Sequence, residues 1–168
     1  MCIRDSYNAN TILLPPFHGI DTINESFNKS LRYALYHGDL STSDNEKSVN
    51  YLINIFEELD CKLVIASNYL PISIENKIKR LDNIVFEFIN NDEHLDKLIQ
   101  LAQINVLFSF QKSGTKLKVF RALYRGKHCV INSNIVDDEL IISLCHIANS
   151  PREFKNIIIE LMLSLIHI

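Results

Sequence analysis

A short basic loop contains the residue types in this sequence that are best suited to chemistry. It follows an apolar run and leads into a helix-period segment from Leu117. Cations at a helix N-terminus oppose the helix dipole, and no acidic residue nearby in the sequence offsets them. Small residues, exposed N–H groups and lysines are what an anion site requires. We therefore predict that phosphate or pyrophosphate binds to this loop, through Lys112, Ser113, Gly114, Thr115, Lys116 and Lys118. The alternative is a solvated basic helix start.

A second candidate loop follows an earlier apolar run and contains His37-Gly38-Asp39-Leu40-Ser41. Glycine at the end of a strand allows a ligand to approach the backbone closely, so Gly38 is a predicted binding residue. Asp44 or Asn45 is then expected to cap the following helix. The alternative interpretation is an ordinary strand-to-helix turn with a capping residue.

Metal-binding residue types occur together twice, at His128-Cys129 and at Cys145-His146. Adjacent residues of a strand point to opposite faces of the sheet, so each pair offers only one ligand. Structural zinc sites also favour a short fixed spacing within each ligand pair. We therefore expect no metal cofactor. The isolated histidines, His37 among them, are expected to have surface or packing roles, and the spacing assigns no catalytic residue.

The elements that must position these loops alternate regularly along the chain. Strands are predicted at 33–37, 62–66, 84–88, 104–108, 128–132 and 144–148. The fourth of these is expected to continue to Phe110 before the chain turns. Helices are predicted at 44–59, 92–103, 117–126 and from Pro151 onward. This alternation predicts an α/β fold: a Rossmann-like three-layer domain with a mostly parallel sheet. Ligands of such sheets bind beyond the carboxyl ends of the strands, where both candidate loops lie.

Composition limits the classes of partner. The chain has 168 residues and a net charge of -3, which gives no global attraction to nucleic acid or to a membrane surface. The widely spaced Cys61, Cys129 and Cys145 indicate reduced thiols and a cytoplasmic domain. The apolar run near the C-terminus is too short to span a bilayer.

Two stretches of the sequence resemble the C-terminal, donor-binding half of GT-B-fold glycosyltransferases of group 1, the family 4-like type. The stretch from Tyr36 to Ser41, with Asn45 after it, is similar to the first strand and loop of that half. Residues 113–131 are similar to the family's Gly/Lys/Gly block, whose three conserved types fall at Gly114, Lys118 and Gly126. Residues 13–18 are similar to the stretch that ends the family's N-terminal half.

The resemblance implies transfer of a sugar from a nucleotide-sugar donor to an acceptor glycan or lipid, without a metal. It implies that Lys118 supplies charge to the diphosphate and that the base lies near residues 88–91. A preceding N-terminal half would bind the acceptor and provide any peripheral membrane contact. The sequence departs from the family at four positions. Ser113 and Arg121 stand where the family has two acidic ligands, and Asp39 and Lys47 lie near the positions of its basic pair.

The two ends of the chain have a separate interpretation. Residues 1–6 and 163–168 back-translate into DNA strings that are reverse complements, and both resemble translated sequencing adapter, so we expect them to be adapter-derived. Residues 7–31 are interpreted as an inter-domain linker or remnant of the N-terminal half. Residues 32–162 are the predicted nucleotide-sugar-binding domain, and such a fragment is expected to be inactive alone.

Two other functions remain open at this point. One is a non-enzymatic Rossmann-like binding or interaction module, which would agree with the absence of the acidic pair. The other is a different phosphate-ligand enzyme, such as a GT-B relative that resembles a sugar-phosphate epimerase.

Overall fold

A computed structural model describes residues 31–112 and 116–164 of the chain. Within them, strands and helices alternate without exception. In chain order the elements are β1 (Leu31–His37), α1 (Ser43–Phe56), β2 (Lys62–Ser67), α2 (Ile72–Ile78), β3 (Ile84–Phe88), α3 (Asp92–Leu101), β4 (Ala102–Leu107), α4 (Leu117–Arg125), β5 (His128–Ile131), α5 (Glu139–Ser143), β6 (His146–Ile147) and α6 (Pro151–Leu163).

The six strands form one sheet in the order β3-β2-β1-β4-β5-β6, and every neighbouring pair is parallel. This confirms the predicted α/β class and the predicted parallel sheet. β1 lies at the centre, where Leu35 pairs with Val64 of β2 on one side and with Asn105 of β4 on the other. The strand order therefore reverses between β1 and β4, which makes their carboxyl ends the switch point of the sheet.

Helices cover both faces of the sheet and make three layers. Helices α1, α2 and α6 pack on one face, whose core includes the fully buried Phe56, Ile65 and Phe154. On the other face α3 packs against Leu35, and α4 and α5 pack against Ile131. Because a parallel sheet is buried on both faces, its strands are nearly continuous apolar runs, and this is why the sequence pattern located them.

The start of α6 was predicted from its capping residues, and the structure confirms it. Ser150 is the N-cap, and its hydroxyl accepts a hydrogen bond of 3.3 Å from the Glu153 N–H. Pro151 occupies the first helical position, where its missing N–H costs nothing. The Glu153 carboxylate turns back and accepts from the Asn149 N–H at 2.7 Å. The pattern is a variant of the predicted capping box, because the carboxylate holds the N–H of the residue before the N-cap and not that of the N-cap itself.

The predicted cap of α1 was wrong. The helix begins at Ser43 after Thr42, so Asp44 and Asn45 lie inside its first turn. The Asn45 amide instead donates a hydrogen bond of 2.8 Å to the Asp39 carbonyl oxygen. This contact ties the β1–α1 loop to the first turn of the helix. It leaves the side-chain oxygen of Asn45, Oδ1, free to accept a hydrogen bond from Lys118.

The predicted boundaries of β4 were also displaced. The strand begins at Ala102, directly after α3, and ends at Leu107 rather than at Phe110. Beyond Leu107 the side chain of Asn132 pairs with both backbone groups of Ser109: it accepts from the N–H at 3.0 Å and donates to the carbonyl at 2.8 Å. Because a side-chain amide replaces the next backbone partner, the ladder stops there.

The predicted inner face of α4, formed by Leu117, Phe120 and Leu123, was only partly right. The buried residues are Val119 and Ala122, and Leu117 is 62% exposed. The helix therefore packs on the sheet through Val119 and Ala122, and Lys118 faces the switch point. Helices α2 and α5 were not predicted, because each is short and α5 has no buried residue.

Two further properties bear on function. The three cysteines in the part of the chain that the structure describes, Cys61, Cys129 and Cys145, are free thiols. None of the described helices has the length and apolarity that a membrane span needs.

Candidate functional site

The candidate site is the crevice at the carboxyl ends of β1 and β4. The β1–α1 loop leads to one face of the sheet and the β4–α4 loop leads to the other, so the two loops separate above the switch point. Open parallel sheets bind ligands in such a crevice, because backbone groups and helix N-termini converge there. Both loops selected from the sequence border this crevice.

Lys118 is a basic side chain of α4 that reaches across the crevice to helix α1. It is the second residue of α4 and is partly buried. Its Nζ donates a hydrogen bond of 3.1 Å to Oδ1 of Asn45 on α1, and it lies 5.3 Å from the centroid of the Tyr36 ring. The aromatic face and the amide oxygen together hold the ammonium group over the gap between β1 and β4.

The ammonium of Lys118 is only partly compensated. Burial, with a smaller contribution from the Lys116 charge, lowers its pKa to about 8 against the opposing effect of the Asp44 carboxylate. Asp44 itself accepts a hydrogen bond of 3.1 Å from the Ser109 hydroxyl. Among the described residues no carboxylate lies within ion-pairing distance of Lys118. A cation that is partly desolvated without a direct counter-ion is suited to bind an anion.

The two other predicted lysines lie before the first turn of α4. Lys116 is the N-cap of α4, and its backbone N–H donates to the Ile135 carbonyl at 3.2 Å. Lys112 is exposed in the β4–α4 loop. The predicted binding residues Ser113, Gly114 and Thr115 lie outside the described residues. Lys118 is therefore the one predicted basic residue that the structure places at the switch point itself, within the described part of the chain.

Gly38 lies where the sequence predicted it, at the end of β1, and its backbone is not in the left-handed region. An added Cβ would lie 3.2 Å from the Tyr36 hydroxyl and 3.5 Å from the Asn45 side chain. Glycine is therefore favoured here by close packing against the two residues that hold Lys118. A larger side chain would intrude on the Tyr36–Asn45–Lys118 arrangement.

Arg121 is held by acidic residues of α3. Its Nε donates to Asp96 Oδ1 at 2.7 Å, and its Nη1 donates to Asp92 Oδ1 at 2.8 Å. Nη2 adds a bond of 2.9 Å to the Asp92 carbonyl. The guanidinium thus joins the start of α3 to α4, at a position where the resemblance implied an acidic ligand.

The sequence predicted only a surface or packing role for His37, and the structure buries it beside the switch point. It is the last residue of β1 and is 3% exposed. Its Nε2 is buried and has no hydrogen-bond partner among the described residues. Burial lowers the pKa of His37 to about 3, and the charges of Lys118 and Arg121 act in the same direction. The signal in the sequence was a histidine directly before the strand-end glycine.

His37 forms part of the wall of a cavity of about 210 Å³ at the carboxyl ends of β1, β2 and β3. Ile89 and Leu95 provide apolar wall, and Asp39, Ser67 and Asn68 provide polar groups. The Ser67 hydroxyl already accepts from the Leu40 N–H at 3.2 Å. The cavity is therefore mixed in character, as ligand sites usually are, and it borders the crevice that Lys118 occupies.

A larger cavity of about 530 Å³ lies between α1 and Phe110, away from His37. Tyr51 forms part of its wall and stacks on Phe108 at 4.2 Å between centroids. Asn50 and Asn54 also line this cavity, and their side-chain oxygens accept hydrogen bonds from Lys77 Nζ at 3.4 and 2.6 Å. Because these polar groups already have partners, we take the switch point as the site in spite of its smaller cavity.

Among the described residues, no group of three or more His, Cys, Asp or Glu side chains is placed to hold a metal ion. His128 and His146 do lie together, with ring centroids 5.5 Å apart, on the neighbouring strands β5 and β6. Neither histidine lies at the switch point.

Solved structures that share this fold are glycosyltransferases of the GT-B type, matched over a C-terminal half. The C-terminal domain of LpcC, a glycosyl transferase group 1 family protein from Francisella tularensis, covers 81% of this chain and 77% of its own, at 16% identity and a TM-score of 0.59. TarM covers 89% of this chain and 32% of its own, at 12% identity and a TM-score of 0.66. The match to HepE from Anabaena, solved in complex with UDP-glucose, covers 80% of this chain and 40% of HepE, at 13% identity and a TM-score of 0.60.

These matches confirm the predicted fold, the Rossmann-like C-terminal half of a GT-B enzyme. The chain spans about a third of the length of TarM. No protein-family model and no curated protein sequence matches it.

Proposed function

We propose that this chain is the donor-binding part of a glycosyltransferase that transfers a sugar from a nucleotide-sugar to an acceptor. The diphosphate of the donor binds in the crevice between β1 and β4. The observation that carries this proposal is the ammonium of Lys118, which Asn45 and Tyr36 hold over the switch point without a paired carboxylate among the described residues. The fold shared with HepE, whose structure contains UDP-glucose, supports the same ligand class.

The chemistry of sugar transfer explains why a cation is needed at this point. When the bond between the anomeric carbon and the diphosphate oxygen breaks, its electron pair stays on the oxygen and the diphosphate gains negative charge. A cation that is already positioned stabilises this charge without reorganisation. Lys118 performs that role here, with Ser113, Gly114 and Thr115 as further donors and with Lys112 and Lys116 nearby. No metal ion is required.

The proposal includes a partner half that binds the acceptor, a glycan or a lipid. A transfer reaction needs both halves, so we propose that the described domain alone binds donor weakly and does not catalyse transfer. The free thiols and the acidic net charge agree with a cytoplasmic setting without nucleic acid.

The first test is a titration of the 168-residue chain with UDP, GDP and inorganic pyrophosphate by calorimetry. Lys118→Met is expected to weaken binding of the nucleotide that binds by about 1–3 kcal/mol, the cost of a lost charge-assisted contact. Pyrophosphate binding should weaken by a similar factor, because the lost charge faces the phosphates.

Lys79→Met is the matched control, because it removes the same charge just after α2, where the chain returns to the amino end of β3 and away from the site. Lys79 pairs with Glu75 in an exposed bridge of 2.8 Å, so its loss should change stability little. Equal affinities of the Lys118→Met variant and the wild type would contradict the proposed role of Lys118. Absence of any binding to the wild type would contradict the proposed function.

One observation favours a second function, a non-enzymatic binding or interaction module. Arg121 is tied to Asp92 and Asp96, so a basic residue is built into a position that is acidic in the resembled family. A chain that binds no nucleoside diphosphate in the same titration would support that function.

A further inference from the structure

His37 has a buried nitrogen whose position the surrounding protein does not explain. The side chain is 3% exposed and Nε2 has no partner among the described residues, although nearly all buried polar atoms in proteins have one. The same imidazole forms part of the wall of the 210 Å³ cavity. A buried polar side chain that stands in the wall of a cavity and has a nitrogen without a partner among the described residues indicates a contact with something that enters the cavity.

The imidazole is also fixed in its uncharged form. Its pKa is about 3, so the ring is neutral throughout the physiological range. Lys118 and Arg121, on the packed helix α4, both oppose its protonation. A neutral imidazole offers Nε2 as one hydrogen-bond donor or one acceptor, and it adds no charge. It is therefore suited to recognise an uncharged polar group.

Two successive residues of β1 divide the site into a charged and an uncharged part. Tyr36 and His37 are adjacent on the strand, so their side chains point to opposite faces of the sheet. The Tyr36 ring lies under the Lys118 ammonium, whereas His37 shares its cavity with Ile89 and Leu95. A ligand that lies across the end of β1 would place its anion at Lys118 and its uncharged part beside His37.

We propose that His37 is a ligand-contacting residue whose Nε2 makes a hydrogen bond to the nucleoside part of the donor, and that it contributes to discrimination between nucleosides. This rests on the proposed function, in which the diphosphate binds at Lys118. The contact also explains why a polar residue occupies a position where an apolar side chain would be more stable.

The proposal is tested with two variants of the 168-residue chain. His37→Leu removes the nitrogen and keeps an apolar side chain, whereas His37→Gln places an amide near the position of Nε2. For whichever of UDP and GDP binds the wild type, we expect His37→Leu to lower the affinity about tenfold and His37→Gln to retain affinity within about threefold. Affinity for inorganic pyrophosphate should be unchanged in both variants.

Two further measurements separate recognition from a structural role. The ¹⁵N shift of His37 Nε2 should move when the nucleotide is added to the wild type, and it should stay constant when pyrophosphate is added. His37→Leu should also raise the midpoint of thermal unfolding, because it removes a buried atom without a partner. A residue that serves only packing would lower the midpoint when replaced and leave the nucleotide affinity unchanged.

Each outcome decides the proposal. It is overturned if His37→Leu binds the nucleotide as the wild type does, or if it loses nucleotide and pyrophosphate affinity equally. If the wild type binds pyrophosphate and the nucleotide with the same affinity, the nucleoside makes no contact and the proposal also fails, while the anion site stands. If no nucleoside diphosphate binds, the proposed function fails and the role of His37 fails with it.

Discussion

At the scale of single residues, the site depends on the pKa of Lys118. Most surface lysines are cations far above neutral pH, but burial lowers the pKa of this one to about 8. The Asp44 carboxylate favours the ammonium form but does not outweigh the effect of burial. The residue thus remains charged at neutral pH and loses its proton under mildly alkaline conditions.

This property predicts opposite effects of pH on binding and on stability. Nucleotide affinity should fall as the pH rises through about 8, because the free Lys118 then loses its charge. In the unfolded chain the lysine keeps its ordinary pKa of 10.5, so between about 8 and 10.5 the unfolded chain binds more protons and folding is favoured by rising pH. The wild type should therefore gain stability relative to Lys118→Met between pH 7 and pH 9.5.

Calorimetric titration at pH 7 and pH 9, together with urea unfolding at pH 7 and pH 9.5, checks both effects. Lys79→Met again provides the comparison, since its ion pair is exposed. A Lys118→Met variant whose stability difference from the wild type is the same at both pH values would disprove the lowered pKa.

The sequence predicted part of this site. Three lysines at a helix start, without acidic neighbours, were enough to select the loop that leads to Lys118 at the switch point. The sequence could not predict that Asn45 and Tyr36 hold Lys118, because those contacts join residues far apart in the chain. It also could not distinguish His37 from an ordinary core histidine, since burial and the absence of a partner are properties of the folded chain.

At the scale of elements, the join between α4 and β5 depends on Gly126. A Cβ at this position would lie 2.2 Å from Nδ2 of Asn105 and 2.6 Å from the Ala122 carbonyl oxygen. Asn105 is fully buried in β4, and its amide donates to the Ile99 carbonyl at 3.4 Å. The close approach of α4 to the sheet, which places Lys118, therefore requires glycine here.

Gly126→Ala is expected to lower the free energy of unfolding by about 2–4 kcal/mol, because one contact is with backbone and the other with a buried side chain. Gly38→Ala is the matched control: its shortest contact, 3.2 Å to the Tyr36 hydroxyl, should cost about 1 kcal/mol or less. Urea unfolding of both variants measures the difference.

Combining Gly126→Ala with Asn105→Ala tests the cause. The double variant should be more stable than the sum of the single effects predicts, because the second substitution removes one of the two clashes. Simple additivity, or equal effects of the two glycine substitutions, would show that the contact is not the reason for glycine.

Element boundaries show where sequence reasoning was limited. The capping residues of α6 were read correctly because all of them are local to Ser150 and Glu153. The end of β4 was misplaced because Asn132, the residue that follows β5, pairs with Ser109 and stops the ladder. Patterns within a segment therefore predicted what the segment itself determines, and contacts between segments decided the rest.

At the scale of the whole molecule, the order of the strands brings the functional parts together. The loops after β1 and β4 are separated by more than sixty residues in the chain, yet they meet at one crevice because the strand order reverses there. The loops after β2 and β3 complete the cavity beside His37. The loop after β5 lies one strand further away and leads into the short elements α5 and β6.

This arrangement predicts which segments a nucleotide protects from amide hydrogen exchange. A saturating concentration of UDP or GDP should slow exchange in residues 38–45, 108–112 and 116–118, with a smaller effect at 67–69 and 89–91. The loop at 133–138 should be unchanged. Strand amides that exchange through global unfolding will also slow as the ligand stabilises the fold, so the site is identified from loop amides that open locally.

Exchange followed by mass spectrometry of peptides provides the measurement, with Lys118→Met as the control that should lose the loop protection. Protection centred instead on residues 47–54 and Phe110 would move the site to the larger cavity beside α1. Protection confined to 112–118, without any change at 67–69 or 89–91, would mean that only the diphosphate is bound. The distribution of protection across the end of the sheet thus tests the anion site and the nucleoside cavity in one experiment.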